Sequence, residues 1–194
     1  NGKSNTLAVR LENRPQSSRW YPGAGLYRNV HLIVTDRIHV PVWGTQITTP
    51  HVSKEFAAVR LQTRIDNAGE KTQIHMETEI LSPDGKVVTR KENTGRINHG
   101  QPFEQNFIVN APELWSPERP SLYKAVSKIY ADNKLVDTYT TRFGIRSIEF
   151  IADKGFYLNG EHRKFQGVCN HHDLGPLGAA INVAALRHQL TLLK

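Results

Sequence analysis

Alternation with a period of two residues, broken at intervals by turn-forming residues, is the feature that most restricts what this chain can fold into. Val59, Leu61, Thr63 and Ile65 alternate up to Asp-Asn-Ala-Gly, and Ile74, Met76, Thr78 and Ile80 alternate up to Ser-Pro-Asp-Gly. Phe107 and Val109 lead to Asn-Ala-Pro, and Ala125, Ser127, Ile129 and Ala131 lead to Ala-Asp-Asn-Lys. Successive side chains on a strand point to opposite faces, so each run offers one face to a core and the other to water. Several such strands, with Asp-Gly or Asn-containing turns and no helical pattern between them, predict a β-sandwich of immunoglobulin type over 38–147.

The flanks differ in character. In TLAVRLEN, Leu7, Val9 and Leu11 share one face of an expected strand, which needs partners that a short N-terminal piece cannot all supply. At the other end Val183, Leu186, Leu190 and Leu193 form a helical stripe, with no glycine or proline stop after it. Both ends therefore read as cuts in a longer protein. Between the sandwich and that helix, FYLNGEHRKFQGV predicts a hairpin around Asn159-Gly160 and then a short strand, KFQGV. The loop GVCNHHDLGPLG, Gly167 to Gly178, follows. Strand, loop and helix in that order predict the first unit of a parallel α/β barrel, in which the loops after the strands carry the catalytic face.

Composition narrows the function classes. Of 194 residues, 38% are hydrophobic and 22% charged, as a folded soluble protein requires. The net charge of +7 invites a nucleic-acid reading. The cations are scattered singly, however, as at Arg10, Arg14, Arg19, Arg28 and Arg37, with no basic block, phosphate cradle or RNA-binding aromatic motif, so no nucleic-acid partner is expected. No apolar run reaches the roughly 18–20 residues that cross a bilayer, so no membrane partner is expected either. The N-terminus lacks a secretory layout, and a signal upstream leaves the compartment open, with a periplasmic or secreted setting favoured over a cytoplasmic one. The single cysteine, Cys169, excludes an internal disulfide and a multi-cysteine zinc site.

Three chemistries compete in the histidine loop. Cys169 with His171 or His172 as base would be a thiol nucleophile, but a lone cysteine at the end of a buried strand is more often packing. His171, His172 and Asp173 could contribute at most two ligands to one ion, because adjacent side chains on an extended segment diverge; only His162 and His188 are near enough in sequence to add a third. The remaining reading is the lip of a polar pocket, since imidazoles and an amide suit a ligand covered in hydroxyls. Glu77 and Glu79 are spaced as a glycosidase pair could be, yet the opposite face carries Ile74, Met76 and Ile80, which puts both glutamates on the solvent side.

Four segments in order make the pocket reading specific: SRWYPGAGLYRNVHL, LWSPERPSLY, RFGIRSIEF and FYLNGEHRKFQGVCNHHDLGPLG. Together they resemble glycoside hydrolase family 2, and within it the bacterial β-galactosidases. The resemblance implies a mainly β chain: the end of a jelly-roll sugar-binding domain at 1–37, the immunoglobulin-like sandwich at 38–147, and the start of a (β/α)8 barrel at 148–194. It implies a retaining β-glycosidase acting on a β-galactoside or related oligosaccharide through two glutamates in later parts of the barrel, so the chain by itself is expected to be inactive.

The family pattern Gly-Val-Asn-x-His-Glu/Asp falls on Gly167, Val168, Asn170, His172 and Asp173 with Cys169 as an inserted residue, which makes Asn170, His172 and Asp173 candidate sugar contacts and His171 a variable position. Where many relatives carry an aspartate that reaches the pocket or holds sodium, this chain has Arg19, a candidate contact to sugar hydroxyls. The resemblance implies magnesium or sodium ions for the whole protein and no cofactor or metal held by these residues; a homo-oligomer is left open. Trp20, Trp43 and Trp115 are candidates to stack on a sugar, with core or interdomain packing the favoured role of the last two. The competing class is a stand-alone immunoglobulin-like carbohydrate- or protein-binding module.

Overall fold

The structure, a computed structural model, describes residues 4, 6–12, 14–16, 25–26, 29–97, 102–169, 174–178, 180 and 182–194. Two compact units emerge, one formed by Val34–Phe165 and the other by Asn1–Ile33 with Gln166–Lys194. In chain order the elements are β1 (Ile38–His39), β2 (Thr45–Val52), β3 (Phe56–Arg64), β4 (Asp66–Asn67), β5 (Thr72–Leu81), β6 (Val87–Ile97), β7 (Pro102–Asn110), β8 (Tyr123–Ala131), β9 (Lys134–Phe143), β10 (Ile148–Ile151), β11 (Gly155–Leu158), β12 (Glu161–Arg163) and α1 (Val183–Leu193).

The 34–165 unit is an immunoglobulin-like sandwich of a three-stranded sheet, β2-β3-β7, and a four-stranded sheet, β6-β5-β8-β9, all paired antiparallel. The alternating runs supply its interior: Ala57, Val59 and Leu61 of β3 and Phe107 and Val109 of β7 share one apolar cluster with Ile80, Ala125 and Phe143 of the other sheet. A second cluster gathers Ile38, Val40, Ile65, Ile74, Met76, Ile97, Ile129 and Ala131. Between them each of four strands places one polar residue inward: Thr63, Thr78, Gln105 and Ser127, all buried. Thr78 and Ser127 share a hydroxyl–hydroxyl bond of 2.9 Å across β5 and β8. Gln105 Nε2 donates to Asn93 Oδ1 at 2.9 Å, joining β7 of one sheet to β6 of the other.

The turns follow their residues. Asp132 and Asn133 between β8 and β9 both have positive φ, 50° and 60°, as a two-residue type I′ hairpin requires. In the Asp-Asn-Ala-Gly turn, Asn67 Oδ1 accepts from Gly69 N–H at 2.9 Å, and its Nδ2 donates to Glu70 C=O at 2.8 Å. On the edge strand β2 the register shifts between Thr48 and His51, around Pro50, which cannot donate to a ladder. At the start of β8, buried Tyr123 forms a tyrosine corner: Glu113 N–H donates to its hydroxyl at 2.9 Å. Burial pushes the Tyr123 phenol up from its ordinary pKa.

Two expected strands do not form. Residues 6–12 carry no strand and Leu7 is 83% exposed. Residues 164–169, which include KFQGV, carry none either, and Val168 is exposed. The first has the right periodicity, but strand stabilisation comes from cross-strand pairs, and neither has a pairing partner among the described residues. The expected helix does form. Asn182 caps it, its Oδ1 accepting from Ala184 and Ala185 N–H at 3.0 and 3.1 Å, and no residue of α1 is buried.

Two tests follow from these contacts. Tyr123→Phe leaves Glu113 N–H without its acceptor and is expected to cost about 1–3 kcal/mol in urea denaturation; an unchanged midpoint would remove the corner's role. In the Ser82–Gly85 turn, hydrogen bonds from Lys86 and Ser82 hold Asp84 down to a pKa of about 2 from 3.8. Because the folded value is depressed, its contribution is complete above pH 4 and declines as pH falls toward 2. Asp84→Asn is expected to abolish that share of the acid dependence, measured as the denaturation midpoint against pH.

Candidate functional site

The sugar-contact residues expected from the sequence, Arg19, Asn170, His172 and Asp173, lie outside the described residues, as do Trp20 and His171. The rest of that loop is described from Leu174: Leu174 N–H donates to Gly178 C=O at 3.0 Å around a single 3₁₀ turn, Gly175–Leu177. Cys169 is exposed, which corrects its expected packing role; the strand that was to bury it is not formed. Among the described residues no three His, Cys, Asp or Glu side chains come together as ion ligands.

The glutamate pair behaves as the solvent-side reading expected. Glu77 and Glu79 alternate with buried Met76, Thr78 and Ile80, and Glu77 Oε1 lies 3.3 Å from Arg90 Nη1. Across β5 and β8, Glu77 stands opposite Lys128. On the outer face of the other sheet, Gln46, Thr48, Arg60 and Gln62 line a shallow polar groove. There Arg60 and Gln62 both donate to Glu104, and the Arg60 guanidinium holds the Glu104 carboxyl below its ordinary pKa.

The chemistry the structure does bring together is a junction among three of the four motif segments. Trp115 N–H donates to Ile145 C=O at 2.8 Å. Asn159 Nδ2 donates to Trp115 C=O at 3.0 Å, and Asn159 Oδ1 accepts from Ser147 N–H at 3.0 Å. Asn159 N–H in turn donates to Ser147 C=O at 3.0 Å. The amide side chain thus replaces a peptide group in a β-ladder, joining segments 12 and 44 residues away in sequence.

Backbone conformation sets up this use of Asn159. Asn159 and Gly160 have φ of 53° and 79°, the type I′ pair that the Asn-Gly dipeptide favours. Around the staple, the Trp115 ring lies so close to Gly144 that a Cβ there would sit 2.8 Å from Trp115 Cβ, so only glycine fits. Arg146 Cζ stands 4.8 Å from the centre of the same ring, a cation–π contact. Thr49 Oγ1 donates to Arg146 C=O at 2.9 Å, and Arg163 Nη1 pairs with Glu118 Oε1 at 2.7 Å. Trp115 is therefore a packing residue, as expected, whereas Trp43 is 91% exposed in the turn closed by Gly44 N–H and Pro41 C=O. Sequence reasoning found the Asn159-Gly160 turn but not the staple, whose only local signal is that same dipeptide.

The fold class is thus an immunoglobulin-like sandwich with a three-stranded sheet, β10-β11-β12, stapled to it within one unit. Residues 40–146, more than half of the chain, match the family described as Glycosyl hydrolases family 2, and the chain belongs to that family. It is similar to beta-galactosidase BoGH2A of Bacteroides ovatus, 41% identical over 194 residues, an alignment covering 98% of this chain and 23% of the relative. It is also similar to a beta-glucuronidase of Formosa agariphila, 33% identical, covering 86% of this chain and 19% of the relative. The crystal structure of a glycosyl hydrolase family 2 member from Bacteroides cellulosilyticus superimposes with a TM-score of 0.86 at 35% identity, over 93% of this chain and 25% of that one. The chain spans less than a quarter of the two curated relatives' length.

The junction yields its own test. Asn159 must donate on one side and accept on the other, so Asn159→Asp, which loses the donor toward Trp115 C=O, is expected to cost about 1–3 kcal/mol, as is Asn159→Ala. Hydrogen exchange at Ser147 and through β11 and β12 should accelerate in both variants while β5 and β8 stay protected. Uniform acceleration, or none, would contradict a local staple.

Proposed function

We propose that this chain is the non-catalytic forward part of a retaining β-glycosidase, a β-galactosidase, that releases terminal β-linked sugars. Membership of the family supports the glycosidase class, and the 41% identity to a β-galactosidase along nearly the whole chain, against 37% to a putative β-glucuronidase over the same share of the chain, supports the finer choice. In this reading 1–37 closes a jelly-roll domain, 38–147 is the immunoglobulin-like sandwich, and 148–194 begins the barrel. His172, with Asn170 and Asp173, hydrogen-bonds the sugar in the subsite where cleavage occurs, and Arg19 contacts its hydroxyls. The two glutamates that act as acid/base and nucleophile belong to later parts of the polypeptide.

The stapled junction is the observation that carries this assignment to the chain itself. LWSPERPSLY, RFGIRSIEF and FYLNGEHRKF, three of the segments that resemble the family, are the segments that Asn159, Trp115, Gly144 and Arg146 hold together. Three separated motifs of a stand-alone binding module would have no reason to meet in this way. The junction fixes the sheet from which the polypeptide runs on into the histidine loop.

The full-length protein, assayed on nitrophenyl galactoside, glucuronide and mannoside, is expected to favour the galactoside, and residues 1–194 alone to hydrolyse none of them. His172→Ala is expected to reduce kcat by about two to three orders of magnitude, the scale of losing a hydrogen bond strengthened in the transition state. Full activity of that variant would remove His172 from the site. Sugar affinity in 38–147 alone would favour the binding-module reading instead.

A further inference from the structure

Asn159-Gly160 is also the kind of dipeptide in which a backbone nitrogen most readily attacks a side-chain amide. In that reaction the Gly160 nitrogen adds to Asn159 Cγ, its proton leaves with the amide group as ammonia, and water opens the resulting succinimide to aspartate or isoaspartate. Glycine has no Cβ to crowd the attack, and no other group lies within 4 Å of where one would sit. What opposes the reaction is the staple. Asn159 Oδ1 accepts from Ser147 N–H at 3.0 Å, and Nδ2 donates to Trp115 C=O at 3.0 Å. The amide plane is thus pinned at both ends, while Asn159 N–H is held on Ser147 C=O at 3.0 Å. Turning Cγ toward the Gly160 nitrogen swings both ends of the amide and so breaks the bonds that hold the hairpin to the sandwich.

We propose that Asn159 is a latent deamidation site, shut while the junction is made and reactive once the junction opens. The amide that must move is the amide that the staple holds, and its partners Ser147 and Trp115 belong with it to the 34–165 unit, so the protection is internal to that unit. The product cannot rejoin. Aspartate has no donor for Trp115 C=O, and isoaspartate also carries the main chain through the side-chain carbon, which lengthens a turn whose two residues fit a type I′ hairpin. Each opening therefore risks an irreversible loss, and the lifetime of the hairpin's attachment is set by a rate rather than by an equilibrium. The inference holds whatever sugar the protein acts on.

Peptide mapping by mass spectrometry tests this on the full-length protein, aged in mildly alkaline buffer as native and guanidinium-unfolded samples. In the unfolded samples Asn159 and Asn1, the two asparagines that glycine follows, are expected to deamidate at similar rates, and in the native form Asn159 at least several-fold more slowly. Equal or faster loss in the native form, as Ser147 N–H at Oδ1 would give by stabilising the oxyanion, overturns the proposal. Gly144→Ala, whose Cβ would sit 2.8 Å from Trp115 Cβ and displace the acceptor of Nδ2, is expected to speed native deamidation several-fold and leave the unfolded rate unchanged. No acceleration overturns the staple as the cause. If Gly144→Ala does not fold, the unaltered protein still decides: in rising sub-denaturing guanidinium, deamidation of Asn159 and hydrogen exchange at Ser147 N–H should accelerate in proportion, and deamidation that stays flat while exchange rises overturns the proposal. Isolated deamidated protein should exchange faster at Ser147 and through β11 and β12, and unchanged protection there overturns the one-way loss.

Discussion

The rest of the junction depends on one primary amide. Asn159 sits at the left-handed first position of a type I′ turn, where its side chain folds beside its own backbone. Its N–H and Oδ1 then meet the C=O and N–H of Ser147 as one residue of a ladder meets another, and its Nδ2 is left to cap Trp115 C=O. Donor and acceptor are both used, so neither aspartate nor a hydroxyl residue reproduces the arrangement. Ile145 C=O is already taken by Trp115 N–H, and these bonds run in series from the end of the sandwich, through the Trp-Ser-Pro segment, into the hairpin. Gly144 and Arg146 both pack against Trp115 beside that series.

Within the sandwich a different device fixes the register. A one-residue slip of a strand exchanges its core and solvent faces, so alternation alone forbids it. A two-residue slip preserves alternation and would pass unpunished in a uniformly apolar core. Here each of four strands has a buried polar residue between the two apolar clusters, with Thr78 and Ser127 directly paired in one sheet and Thr63 and Gln105 in the other. Sliding β5 by two residues would break the Thr78–Ser127 bond and place hydroxyls against aliphatic side chains in both apolar clusters. The polar layer costs burial of polar atoms, and it makes one pairing lower in energy than its neighbours.

These two devices show what was legible in the sequence. The interiors of β3, β5, β7 and β8 were read correctly, because burial follows parity and parity is local: Val59, Met76, Phe107 and Ile129 are all in the core. TLAVRLEN carries the same parity and forms no strand, and neither does KFQGV, since a strand also needs a neighbour and parity contains no information about one. Cys169 was misread for the same reason, its packing role having been inferred from a strand that does not form. The staple was invisible because Asn159 meets Trp115 at a distance of 44 residues, and nothing near Asn159 encodes that meeting. The histidine-loop candidates rest on resemblance to the family alone.

The kinds of force at the junction also determine how it responds to its surroundings. The Arg163–Glu118 pair is short, but both partners are substantially exposed, so it contributes little and less with added salt. The amide bonds of Asn159 and the Trp115–Gly144 contact are neutral and are not screened. The hairpin's attachment should therefore persist from low to high ionic strength. The β10-β11-β12 sheet would thereby keep its register to the sandwich across environments of different salinity. Fixing the attachment with neutral groups also leaves the scattered cations of a +7 chain free to vary without disturbing it. That separates the charge of the surface from the geometry of the junction.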